Sequence, residues 1–175
     1  ELVIADKPLD TVRDPEQYGT SLIALGTVTV HGRIKTPFLR LAAEPQAGST
    51  SLVLESAPIG WQAGDKLYLP DSRQLAWNEQ DANYVAKWEY PIVASVSGST
   101  VTLAAPLAFA HPGSHLVAGD VAEFRPHVAN LSRNVIIRSE NPAGTRGHTM
   151  FTERARIDVR YAAFMNLGRT RNHGV

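Results

Sequence analysis

Asn134-Val135-Ile136-Ile137-Arg138 and Arg156-Ile157-Asp158-Val159-Arg160 decide the reading of this chain. Laid over one another at an offset of 22 residues, they put Val135 over Ile157, Ile137 over Val159 and Arg138 over Arg160. Single coils of a parallel β-helix repeat at about this period, with aliphatic side chains stacked inward from turn to turn. The pair predicts successive coils of a right-handed parallel β-helix. The competing reading is a β-sandwich in which two similar strands mean nothing. Two coils are fewer than the roughly three that bury one another's faces. The segment is therefore expected to open a longer protein whose downstream coils cover it.

Upstream, short β-branched runs follow one another between Gly, Pro, Ser and Asn punctuation. They are Thr27–Val30, Ser51–Leu54, Lys66–Leu69, Pro91–Val93 and Thr100–Leu103. Two echoes stand out. Gly-Ser-Thr at 48–50 and at 98–100 each leads into an alternating strand and then Ala-Pro. Ala-Gly-Asp at 63–65 and at 118–120 each opens another strand, Lys66–Leu69 and Val121–Arg125, which stops at a proline. Proline has no N–H to give to a ladder, so each unit reads as a turn, a strand and a stop. Gly-Asp turns are common in β proteins, and chance is the rival explanation. The polar stretch Arg73–Trp88 is the longest gap between strands, a functional loop or a helical turn or two. The expected fold class is all-β: a hairpin-rich β-roll over residues 1–126 leading into the first coils of a parallel β-helix over 127–175.

Composition narrows the function. The chain has 175 residues, 43% of them hydrophobic and 19% charged, no Cys, and equal numbers of basic and acidic residues. That disfavours disorder by charge excess, a disulfide scaffold, a thiolate metal site and a polybasic nucleic-acid or membrane-surface binder. No apolar run reaches the roughly 20 residues that cross a bilayer as a helix. The neutral total hides an asymmetry. Residues 1–119 hold 8 Lys/Arg against 12 Asp/Glu, whereas residues from 120 on hold 9 Arg, no Lys and 5 Asp/Glu. Arginine forks pair with carboxylates through two parallel bonds, so an all-arginine half suits either internal ion pairs or a groove for an acidic polymer.

Three groups of candidate site residues emerge. Gly144-Thr145-Arg146-Gly147-His148 joins two glycines, a cation and a titratable base; it reads as a ligand loop with His148 catalytic, or as a coil corner. Arg154, Arg156, Asp158 and Arg160 share the face opposite Ile157, Val159 and Tyr161. That face is either solvated or a glycan-binding surface, with guanidiniums holding Asp158 as an anion. A hydrolase would need a second carboxylate, Glu153 or Glu140, beside Asp158. A lyase would pair Arg156 or Arg160 with His148. Trp77, Tyr84, Trp88 and Tyr90 lie in the long loop and either stack on sugar rings or anchor the loop. His111 and His115 flank Pro112-Gly113 and lack the helical spacing of a metal pair, while Asp71, Glu79 and Asp81 match no EF-hand loop. No metal or other cofactor is called for.

The segment from Gly48 to Arg169 resembles the eight-glycine (G-eight) domain and the parallel β-helix that follows it in cell-surface and cell-migration-inducing hyaluronidases and bacterial relatives. The resemblance is carried by GSTSLVLESAPIGWQAGDKLYLP, PIVASVSGSTVTLAAPLAFAH, NLSRNVIIRSENPAGTRGHTMF and AAFMNLGR. It implies left-handed glycines at the turns and Trp61 on the roll's core. It also implies a secreted or cell-surface protein that handles a polysaccharide, hyaluronan or another acidic glycan. The chain departs from the pattern after Arg169, where the family's His-rich coil is replaced by Thr170-Arg171-Asn172-His173.

Overall fold

The computed structural model describes residues 1–73, 84–117 and 124–168, and among these there is no helix. In chain order the strands are β1 (Leu2–Ile4), β2 (Ser21–Ala24), β3 (Thr27–His31), β4 (Phe38–Arg40), β5 (Ser51–Val53), β6 (Leu67–Tyr68), β7 (Val93–Ser97), β8 (Thr100–Leu103), β9 (His127–Asn130), β10 (Val135–Ser139), β11 (His148–Phe151), β12 (Arg156–Arg160) and β13 (Ala162–Met165). They fall into two units: residues 1–33 with those from 133 on, and residues 34–132.

The first unit is a stack of parallel coils. β10 lies between β1 and β13, with Leu2 beside Ile137 and Val135 beside Ala162. β11 pairs with β2, and β12 pairs with β3, both parallel. One turn is therefore β1–β2–β3, the next is β10–β11–β12, and β13 begins a third. The inner side holds buried Ile4, Ala24, Ile137 and Ser139, with Val28, Val30 and Val159 half-buried. Tyr161 alone separates β12 from β13, and its left-handed backbone (φ 54°) makes the corner.

This corrects the expected register and the expected boundary. β10 and β12 do not stack on each other; they are two sides of the same coil, joined through β11. Their likeness records a shared need for an aliphatic inner face, not vertical contact. The strand under β10 comes from the first residues of the chain, so the division at 126/127 moves to 33/34 and 132/133. The coil begins before the hairpin unit, and the hairpins interrupt it in sequence. The faces also differ in degree. Arg156 and Arg160 point outward as expected, but Ile157 is 37% exposed and Tyr161 36%.

The second unit is antiparallel. β4, β9 and β6 form one sheet, in that order, and β5, β8 and β7 another. The two Gly-Ser-Thr turns feed β5 and β8, and these two strands pair with each other, Leu52 against Val101. The second Ala-Gly-Asp and the residues after it to 123 lie outside the described residues. Gly48, Gly64 and Gly98 have φ of 85°, 85° and 57°, the left-handed region that β-branched residues avoid. Leu41, Leu52, Leu54, Trp61, Leu67 and Val101 belong to one buried cluster, and Trp61 donates its indole N–H to Thr36 O at 2.7 Å. The same unit holds a buried ion pair. Lys35 Nζ is 2.6 and 2.7 Å from the oxygens of Asp65, and Asn130 Nδ2 donates to the same carboxylate at 2.8 Å.

Candidate functional site

In the coil unit, register decides which outward residues meet. Arg156 lies beside Thr27, Asp158 beside Thr29 and Arg160 beside His31. Asp158 accepts from Arg160 Nε on Oδ1 at 2.7 Å and from Nη2 on Oδ2 at 3.2 Å, and His31 Nε2 lies 2.8 Å from that same Oδ2. The Arg160 hydrogen bonds first, and His31 second, hold the Asp158 carboxyl below the usual aspartate range. Asp158 is thus an anion already matched by two partners. Arg154 and Arg156 are exposed, and neither guanidinium has a side-chain partner among the described residues. His31 was missed in sequence. Thr27, Thr29 and His31 alternate outward on β3, but nothing local says that a strand more than a hundred residues away lies beside them.

His148 opens β11, beside Ser21, on a different ladder from Asp158. The two glycines before it approach the chain itself. A Cβ on Gly144 would fall 2.0 Å from Asp6 Oδ2, and one on Gly147 would fall 2.4 Å from Ile4 Cγ2. Asp6 accepts from Thr145 N at 2.9 Å, and Arg146 Nε donates to Pro142 O at 2.7 Å. The glycines here let the corner close onto β1, so the space read as a ligand cradle is filled. Glu140 accepts from Asp6 N at 2.7 Å in the same corner. Glu153 is exposed.

The hairpin unit brings aromatic rings together. Leu69 and Glu89 exchange two backbone hydrogen bonds of 3.0 Å, setting the end of β6 against the 88–92 segment. Side chains alternate on both. Leu67 and Leu69 point in, and Glu89 reaches His111 Nε2 at 2.8 Å. Lys66, Tyr68, Trp88 and Tyr90 take the other side. The Tyr90 ring is 5.4 Å from Tyr68 and 5.1 Å from Trp88, and Lys66 Nζ sits 4.3 Å from its centroid. Trp88 is 46% exposed and Tyr90 44%, a large aromatic area left in water. Lys66 and Tyr68 were legible from the alternation in Lys66–Leu69, but their neighbours were not. Trp77 lies outside the described residues.

Tyr84 belongs to a different arrangement. Its hydroxyl donates to Asp71 at 2.8 Å, and the Arg73 guanidinium lies 5.6 Å from its ring. Asp71 also accepts from Arg73 Nε at 2.9 Å and from Lys87 N at 2.9 Å. The Arg73 hydrogen bonds, chief among these, hold Asp71 far below the ordinary aspartate range. A carboxyl depressed in the fold stabilises it above the unfolded-state value of about 4 and loses that contribution as pH falls toward the folded value. Asp71→Ala should cost on the order of 2 kcal/mol at neutral pH. Denaturant unfolding from neutral pH downward should show that deficit constant to about pH 4 and shrinking below it. A deficit that grows on acidification would contradict the sign.

His111 and His115 each bond a separate glutamate, Glu89 at 2.8 Å and Glu44 at 2.7 Å.

No family model matches the chain. Fibrocystin of Mus musculus is 30% identical over 125 residues, 69% of this chain, and the chain spans 3% of fibrocystin's length. Among solved structures, the tailspike of Pseudomonas phage phi297 is similar at a TM-score of 0.41 and 14% identity, over 84% of this chain and 25% of that one. The tailspike of Pseudomonas phage LKA1 gives 0.40 and 16%, over 77% and 20%. The tailspike of Acinetobacter baumannii bacteriophage AP22, solved in complex with capsular saccharide, gives 0.39 and 17%, over 81% and 25%. No helix among the described residues is long and apolar enough to cross a membrane.

Proposed function

We propose that this chain is an extracellular glycan-binding module. The observation that supports the reading best is the row in which exposed Trp88 and Tyr90 stand against half-buried Tyr68, with Lys66 beside them. Sugar rings present apolar C–H faces edged by hydroxyls. A ring that is wet on one face and fixed by its neighbours binds such a face at little cost in side-chain entropy. The finer form is an acidic polysaccharide, with hyaluronan as the resemblance implies. In that form Arg154, Arg156 and Arg160, with Arg146 at its corner, meet the polymer's carboxylates on the coil unit. His148 and Asp158, expected as a catalytic pair, lie on two different ladders. Asp158 is engaged by Arg160 and His31, so the reading is of binding and not of bond cleavage. The parallel ladders favour one other use, a stiff structural or adhesive stalk that binds no sugar.

Retention on immobilised polysaccharides separates these. Trp88→Ala with Tyr90→Ala should lower affinity at least tenfold, the order expected for removing two stacking rings. Arg156→Ala with Arg160→Ala should weaken retention on an acidic polymer selectively, and added salt should mimic the loss. No retention of the parent protein at low salt on acidic or neutral polymers would leave the stalk.

A further inference from the structure

Beside the aromatic row lies a depression of about 340 Å³ between residues 90–92 and 104–106. That is the small end of the range for ligand sites, roughly 300 to 1,000 Å³. Its wall is Pro91, Ile92, Ala104, Ala105 and Pro106, with Tyr90 shared between the wall and the row. Glu89 also borders it, but its carboxylate is spent elsewhere. One oxygen meets His111 Nε2 at 2.8 Å and Phe109 N at 3.2 Å, and the other meets Ala108 N at 2.9 Å. The backbone closes the floor, with Ala104 N donating to Ile92 O at 2.8 Å. Ile92 stays 40% exposed.

A sugar stacked on Tyr90 would therefore set one edge against a mostly apolar wall whose one carboxylate, Glu89, is already hydrogen-bonded to His111 and to two backbone N–H groups. A hydroxyl turned into that wall gives up water and gains little, whereas a methyl group gains. We infer that this depression is a subsite for the methyl group of a substituted sugar, carried by a 6-deoxyhexose or by an acetamido hexose. Its occupant is the sugar edge that carries that methyl, on a pyranose stacked on Tyr90. The inference rests on the glycan-binding reading above and names the sugar class which that site prefers. It draws on the hairpin unit alone.

The test compares 2-hydroxyethyl glycosides of glucose, 6-deoxyglucose and N-acetylglucosamine, whose aglycone carries no methyl group, by saturation-transfer NMR titration. One buried methyl is worth about fourfold in affinity, so 6-deoxyglucose, N-acetylglucosamine or both should bind about that much more tightly than glucose. Which of the two gains identifies the source of the methyl. Ala105→Phe narrows the depression from an exposed position and should abolish the preference while glucose still binds. Ala105→Ser leaves the space and should keep it. Equal binding of all three glycosides, or a preference that survives Ala105→Phe, overturns the subsite and leaves glycan binding standing. Absence of binding by every glycoside and by longer oligosaccharides overturns both.

Discussion

Asp65→Asn is expected to destabilise the hairpin unit by about 3–5 kcal/mol, the cost of leaving one partner of a buried ion pair without the other. Lys35 is 7% exposed and Asp65 3%. The ammonium meets both carboxylate oxygens, and Gln62 N and Asn130 Nδ2 donate to the same group at 3.0 and 2.8 Å. Asparagine keeps the shape and one acceptor but removes the charge, so the buried Lys35 ammonium loses its anionic partner. Adding Lys35→Met removes the stranded charge and should restore at least half of the loss. Denaturant unfolding of the two single variants and the double variant measures this as a coupling energy. Purely additive losses would mean that the pair is not coupled and that Asp65 matters only through its backbone and Asn130 bonds.

The same residues show how far the sequence reaches. Asp65 stands in an Ala-Gly-Asp turn that was read as punctuation, and the turn is there, with Gly64 left-handed and β6 following it. Turn chemistry and period-two alternation act over a few residues, so they are legible. Leu52 and Val101, one from each strand that follows a Gly-Ser-Thr turn, meet across a ladder. That the turn's aspartate also anchors Lys35, thirty residues earlier, is a tertiary fact without a local signature. The aromatic row follows the same logic. Trp88 and Tyr90 were picked out as loop aromatics, but which rings they meet depends on Leu69 pairing with Glu89. In the coils the gap is widest. Any inward-facing strand of a parallel stack looks like any other, so similarity at 22 residues could not distinguish strands that stack from strands on different sides of one turn. The actual partners of β10 are 27 residues ahead and at the start of the chain. Asp158 was expected to be held as an anion by flanking guanidiniums. Arg160 does so, while the second cation, His31, comes from the strand that sequence could not place.

A pair of glycines at the two ends of β3 tests that arrangement directly. Gly32 donates its N–H to Arg160 O at 2.8 Å, and a Cβ there would lie 2.1 Å from Tyr161 O and 3.0 Å from Asn134 Oδ1. The first obstacle is backbone at the corner between β12 and β13, so it cannot swing away as a side-chain tip would. Gly32→Ala must push β3 and β12 apart at their last rung, at a cost of about 3 kcal/mol, the upper part of the usual range for overpacking. Gly26 precedes the same strand, and a Cβ there would meet nothing within 4 Å. Gly26→Ala should be neutral, or stabilising by up to about 1 kcal/mol through the unfolded chain. Chemical denaturation, with amide exchange across 156–165 as a local readout, separates the two. If the N-terminal strand did not run beside Arg156–Arg160, neither glycine would face a neighbour there and the substitutions would behave alike. A large loss at Gly32 with none at Gly26 follows only when residues 27–31 lie alongside that strand.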